Sequence, residues 1–139
     1  MMNWPSTVDL RKIMNGWKNE GKIVLFNLWK GKLWTDASKA LGIFISATIV
    51  SIALQRAFQK EQYRKPCYLF VDEFASFATA DSYSIILSET RKYKLYLIAL
   101  TQSVTQLPSE LQNTILNNVS VKIVWANGFP ALKAQANDL

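Results

Sequence analysis

Cys67-Tyr68-Leu69-Phe70-Val71-Asp72-Glu73-Phe74 is a short apolar run that ends abruptly in two adjacent carboxylates. Its first residues have high strand propensity, and a near-continuous apolar run of this length reads as a buried parallel strand. Asp72 and Glu73 then fall at the carboxyl end of a sheet, the edge at which open α/β sheets bind ligands. The plain alternative is a strand that happens to end in acids before a loop.

Upstream, Gln55 to Lys65 is polar and basic, and Pro66 closes it. Before that, from Thr35-Asp36 to about Gln59, apolar residues recur at helical spacing through Ala40, Leu41, Phe44, Ile45, Ile49 and Ile52. The most apolar part, Leu41 to Leu54, covers 14 positions and includes two serines and a threonine. A membrane-spanning helix needs about 20. The stretch therefore reads as a long, largely buried crossover helix, with no membrane span. Further back, Lys22 to Leu28 reads as a strand buried on both faces, followed by a turn at Trp29-Lys30-Gly31-Lys32. The first 20 residues place Val8, Leu10, Ile13, Met14 and Trp17 on one helical face, with Ser6 or Thr7 positioned to cap it and Gly21 to end it. They lack the basic-then-apolar order of a signal peptide.

Downstream, Phe74 to Ala80 reads as a loop whose two phenylalanines cover the sheet edge. Asp81 is placed to cap a helix from about Ser82 to Tyr93, striped by Tyr83, Ile86, Leu87 and Thr90. Leu95 to Leu100 is a second buried strand, ending in Thr101-Gln102. Pro108 sits in the first turn of a helix that ends near Asn117-Asn118. Val119 to Trp125 alternates like a one-faced strand, and Ala131 to Leu139 starts another helix. Strands alternating with crossover helices imply an α/β fold: a mostly parallel sheet with helices on both faces.

At 139 residues, half of them apolar or aromatic and 19% charged, the chain has the size and balance of one globular domain spanning 1–139. Formal charge is +6, and residues 1–65 hold 11 Lys and Arg against 4 Asp and Glu. A basic first half is compatible with a polyanionic partner or with plain solubility. The single cysteine, Cys67, points to a reducing cytoplasmic compartment and away from a disulfide framework. With no histidine present, Ser-His-Asp and Cys-His chemistry is excluded, leaving acid–base work to carboxylates, Lys or Tyr.

If the two apolar runs are parallel neighbours, Asp72, Glu73, Thr101 and Gln102 emerge at one sheet edge. An acidic pair can serve a Mg²⁺-bound nucleotide and a water, and a Gln amide can sense a terminal phosphate or orient that water. Gln102 is otherwise a capping or loop residue. Arg91 is either a helix C-terminal cation favoured by the dipole or a cation offered to a neighbouring subunit.

Four segments in order carry a resemblance: Leu69 to Phe74, Ile86 to Tyr93, Ala99 to Ser103 with Gln106-Leu107-Pro108, and Ile115 to Val119. With Gly21 to Leu28 and Lys30-Gly31 upstream, the chain resembles the C-terminal half of the motor domain of HerA/FtsK-class P-loop ATPases. It is closest to the TraG/TraD-type coupling proteins of conjugation and type IV secretion. The resemblance implies a partial RecA-like P-loop NTPase domain. Asp72 would support Mg²⁺ as part of the Walker B element and Glu73 would be the catalytic carboxylate. Gln102 would be the sensor, with Thr101 beside it at the bound ATP, and Arg91 a trans-acting arginine. It further implies a homohexameric ring that moves DNA, a relaxosome or secretion-substrate protein as partner, and a cytoplasmic location at the inner membrane through a parent protein.

One departure is serious. No G-x-x-x-x-G-K-S/T occurs, since the glycines are Gly16, Gly21, Gly31, Gly42 and Gly128 and Gly21-Lys22 is followed by Ile. The phosphate-cradling loop is missing, so the chain reads as a fragment, a split product or a remnant, expected to hydrolyse ATP negligibly alone and to self-associate through open sheet edges. Two other readings stay open: a non-catalytic truncated α/β module that binds a ring subunit or a secretion substrate, and a small stand-alone phosphate-binding domain.

Overall fold

The computed structural model describes residues 8–16, 21–28, 31 and 34–123, and of 80–82 the backbone alone. Within these residues the order is α1 (Leu10–Met14), α2 (Thr35–Gln55), β1 (Cys67–Val71), α3 (Ala80–Glu89), β2 (Leu95–Ala99) and α4 (Ser109–Asn118). The fold is mixed α/β, with four helices and a two-stranded parallel sheet among the described residues. Cys67 pairs with Leu95 and Val71 with Ala99, so the two strands are in step along their whole length.

α2 continues as a 3-10 turn over Arg56–Phe58, which ends the helix short of Gln59. By length and composition Thr35–Phe58 could cross a membrane, with 39% of its most apolar window buried in the protein. The helix is therefore less buried than the largely buried one expected, with Leu41 and Phe44 exposed, because its core contacts fall in its second half: Ile49, Ile52 and Ala53 pack on Met14 and Leu95, and Val50 joins Phe74, Tyr83, Ile86, Leu107 and Leu111. Ser46, also on α2, shares a 2.7 Å hydrogen bond with the buried Tyr83 hydroxyl, which satisfies both polar groups.

All four helices contribute to clusters that meet the same side of the sheet, the side of Cys67, Leu69, Val71, Leu95 and Leu97. The expected burial on both faces is therefore corrected. Tyr68, Phe70 and Ile98 on the other side are exposed, and Tyr68 stacks on Tyr96 across the strands with ring centroids 5.4 Å apart. The physical reason is that a run's composition does not reveal how many layers cover it. Among the described residues the helices cover one face only.

Several boundaries also move. Asp9 is the cap of α1, its carboxylate accepting from the Lys12 amide at 3.0 Å, while Ser6, Thr7 and Trp17 lie outside the described residues. α3 begins at Ala80 with Thr79 in the cap position, so Asp81 falls in the first turn instead of before it. The residues from Thr90 to Tyr93 tighten into a 3-10 turn. Pro108 precedes α4 as its cap residue. The segments expected as outer strands do not join a ladder. Residues 21–28 are irregular, with Ile23 and Leu25 almost fully exposed, although the Ser38 hydroxyl ties their end to α2 by donating to Leu28 O at 2.6 Å. Residues 119–123 are likewise unpaired, and Trp125 and 131–139 lie outside the described residues. Strand propensity is a preference for a pleated, half-buried surface, and without a paired edge it is not realised.

Cys67 is half-buried on the packed side of β1, and burial pushes its thiol up, the nearby Arg56 guanidinium offsetting part of that rise. The thiolate is the reactive form. Alkylation of Cys67 by iodoacetamide at neutral pH is expected to be slow in the folded chain and to reach the rate of a free thiol in urea; equal rates in both states would show that the strand is open.

Candidate nucleotide-edge site and its opposite rim

The sheet's carboxyl edge is built by the parallel pairing. The Leu100 amide donates to Val71 O at 2.9 Å, and the Phe74 amide returns across to Leu100 O at 2.8 Å. These two bonds hold the turn after β1 against the segment after β2. Asp72 and Glu73 therefore stand beside Thr101 and Gln102 at one edge, as the strand pairing predicted. Between them Glu73 adopts a left-handed backbone, φ 47° and ψ 45°, a conformation that costs a residue with a Cβ about 1–2 kcal/mol. Asp72 compensates locally, its Oδ1 accepting from the Glu73 amide at 2.8 Å. Such outliers persist where surrounding structure holds them and cluster at functional sites. Asp72, Glu73, Thr101 and Gln102 are all exposed. Thr101 donates its hydroxyl to Ser103 O at 3.2 Å, closing its own loop.

The two phenylalanines after the acids do not cover this edge. Phe74 is buried, edge-to-face on Tyr83 at 4.7 Å, and the Phe77 ring lies against Gly42 of α2. They anchor the acidic turn to the helical layer. Along the edge of β1 away from β2 a groove of about 1070 Å³ is lined by residues 65–73, residues 22–26 and side chains of α1 and α2. Its walls are mainly apolar, and β1 has no strand partner on that side among the described residues.

Arg91 is not at this edge. It sits in the 3-10 turn before β2, exposed at the amino end of the sheet, a five-residue strand away from Asp72, which is at least about 13 Å at 3.3 Å per residue. Within one chain it cannot reach a group held by Asp72 and Glu73.

The amino end is organised by Arg56, which sequence reasoning left inside a merely polar and basic stretch. Its side chain is fully buried. Nε donates to Asn15 Oδ1 at 3.2 Å, Nη1 to Lys65 O at 3.0 Å and to Tyr93 O at 2.8 Å, and Nη2 to Met14 O. The end of α1 and the residues leading into β1 and β2 are thus tied to the end of α2 by one guanidinium. Desolvation lowers its pKa, partly offset by the Cys67 thiolate it would face and deepened by Arg64. Arg64 repeats the device nearer the surface, donating to Arg56 O and Gln59 O and, at 2.8 Å, to Lys92 O, with its guanidinium over the Tyr93 ring. The available signal for Arg56 was an arginine at helical spacing from the buried Ile52 and Ala53.

Residues 66–133 match the family model described as the TraM recognition site of TraD and TraG. The match covers just under half of the chain and supports a TraG/TraD-type coupling-protein C-terminal region. No curated protein and no solved structure matches. The coupling-protein match takes in β1, α3, β2 and α4, hence the whole acidic edge and Arg91, while α2 and Arg56 lie before it.

Proposed function

We propose that this chain is a piece of a conjugative coupling protein that recognises a TraM-type relaxosome protein and also carries the Walker B and sensor residues of an ATP-driven DNA motor. The observation that carries the reading is the family match over 66–133. The meeting of Asp72-Glu73 with Thr101-Gln102 at one edge supports its catalytic half.

The donor chemistry of that edge suits Mg²⁺, which takes oxygen ligands and is held by one or two carboxylates together with substrate phosphates. Asp72 would hold it, and bound Mg²⁺ would neutralise charge on the transferring phosphoryl group. Glu73 polarises the attacking water, and Gln102, with Thr101 beside it, orients that water against the terminal phosphate of ATP. The sequence contains no phosphate-cradling loop, so the phosphates are gripped by a Walker A segment of a parent protein. Arg91 faces the next subunit of a homohexameric ring, which accounts for its position a strand length from Asp72. The ring works on DNA at the cytoplasmic side of the inner membrane.

Joining a Walker A segment upstream is expected to give Mg²⁺-dependent, DNA-stimulated ATPase activity that Glu73→Gln lowers by a factor of at least about 100, with TraM binding unchanged. Activity indifferent to Glu73→Gln would refute the catalytic assignment. Loss of TraM binding in the unsubstituted protein would instead refute recognition. The second reading, a non-catalytic module that binds a ring subunit or secretion substrate, rests on the missing loop; it gains if partner binding persists while nucleotide binding stays undetectable with the upstream segment present.

A further inference from the structure

We infer that the basic rim at the amino end of the two-stranded sheet is a docking surface for an acidic segment of a protein partner. It rests on the recognition reading above and names the chemistry of the contact.

Both strands are approached through cations: Lys60, Arg64 and Lys65 before β1, and Arg91, Lys92 and Lys94 before β2. On those approaches, 60–66 and 89–94, the carboxylates are Glu61 and Glu89. The parallel register sets Cys67 opposite Leu95 and so brings the two approaches side by side. The bonds across them are direct: the Cys67 amide to Lys94 O at 2.9 Å, Arg64 Nη1 to Lys92 O at 2.8 Å, and Arg56 Nη1 to both Lys65 O and Tyr93 O. The six cations therefore form one surface on a backbone already fixed in place. A preorganised surface loses less freedom on binding than a flexible one.

The charge is also left over. Lys92 pairs with Glu89 at 3.4 Å, but Lys60, Lys65, Arg91 and Lys94 make no ion pair among the described residues. Beneath them Arg56 bonds only to neutral carbonyl oxygens, so its positive charge adds to the field from below. The opposite edge carries Asp72 and Glu73, which gives the sheet a positive end and a negative end.

A protein carboxylate fits this rim better than a nucleic acid. Glu61 and Glu89 lie within it and would oppose a continuous phosphate track, whereas spaced carboxylates on a peptide can fall between them. The Tyr93 face is taken by Arg64 and Lys92 at 5.4 and 5.1 Å, and of the exposed rings at this end, Phe58, Tyr63 and Tyr68, Tyr68 is already stacked on Tyr96. Exposed aromatic rings beside cations are suited to anchoring a protein contact.

The test titrates the full chain with a TraM protein and, separately, with a synthetic glutamate-rich peptide. The unsubstituted chain is expected to bind both in a salt-sensitive manner. Lys60→Glu/Lys65→Glu/Lys94→Glu is expected to weaken both by about tenfold or more, while Lys39→Glu, a charge reversal on α2 outside the rim, leaves them unchanged. If the reversed triple melts early, the Lys→Gln triple takes its place. TraM binding that survives the triple substitution overturns the rim and leaves recognition standing. Absent TraM binding overturns recognition, and the peptide arm then decides the rim alone: no peptide binding, or binding indifferent to the triple, overturns it. Short duplex DNA that displaces both probes at equal concentration makes the rim a nucleic-acid surface and overturns the inference.

Discussion

Arg56→Met is expected to lower the stability of the chain by about 3–5 kcal/mol, because several neutral acceptors lose a charged donor at once. Replacing a buried charge by a hydrophobic residue of similar volume is often neutral or stabilising, provided its partners are replaced too. Here they cannot be. Three of the four acceptors are main-chain carbonyls of Met14, Lys65 and Tyr93, which stay in place whatever stands at position 56. Each acceptor left buried without a donor costs about 1–3 kcal/mol. Domains of this size are stable by about 5–15 kcal/mol, so the loss is a large share of the total. Arg56→Lys is expected to fall between, since an ammonium has three donors on a compact head and cannot reproduce the planar fork. Urea unfolding followed by circular dichroism measures both. A midpoint for Arg56→Met equal to that of the unsubstituted chain would mean that water or relaxed backbone satisfies those carbonyls.

This arginine also marks where the sequence was legible and where it was not. β1, β2, α2, α3 and α4 could be found from local signals, because each combines a run of the right period with a punctuating residue: Pro66 before β1, Pro108 before α4. That Asp72 and Gln102 leave the same sheet edge was legible for the same reason, since two successive apolar runs joined by a crossover helix run parallel when they pair. What could not be read was tertiary. Lys22 to Leu28 has the composition of a buried strand, yet Ile23 and Leu25 are exposed, because pairing depends on an edge elsewhere in the chain. Tyr68 and Phe70 look as buried as Leu69 until one knows that the described helices lie on a single side. Arg56 looks like one more surface cation, and only the convergence of α1, β1 and β2 on the end of α2 makes it the hub.

The charge polarity of the sheet ties the two proposals together. The acids at its carboxyl end and the cations at its amino end come from the same two strands in register. A partner bound at the rim and a nucleotide at the acidic edge would sit on opposite ends of the same hydrogen-bonded pair. Arg91 lies on the rim side, so in the proposed ring a protein docked there would compete with a neighbouring subunit for this residue.

Gly42→Ala is expected to destabilise the chain by about 1–3 kcal/mol, the cost of forcing extra atoms into a packed site. The sign is the informative part, because alanine is favoured over glycine in a helix interior by about 1 kcal/mol, and Gly42 lies well inside α2. A Cβ at this position would stand 3.1 Å from Phe77 Cγ, 2.8 Å from Cε1 and closer still to Cδ1. These are ring atoms of a residue held between Phe74 and the start of α3, not the loose end of a flexible side chain. Phe77→Ala removes the clash at the cost of a cavity, so Gly42→Ala/Phe77→Ala is expected to be more stable than the sum of the two single effects, a positive coupling that a thermal double-mutant cycle reads directly. A Gly42→Ala chain that melts higher than the unsubstituted one would show that Phe77 does not rest on α2. The packing matters beyond stability. Phe77 closes the turn that begins at Asp72 and Glu73, with its amide donating to Phe74 O at 3.0 Å and the Ser76 amide to Glu73 O at 2.8 Å. Displacing the ring shifts the peptide that holds Glu73 left-handed, so in a parent protein with a Walker A segment Gly42→Ala should reduce ATPase activity even where the protein stays folded. A substitution on α2 would thereby report on a carboxylate it does not touch.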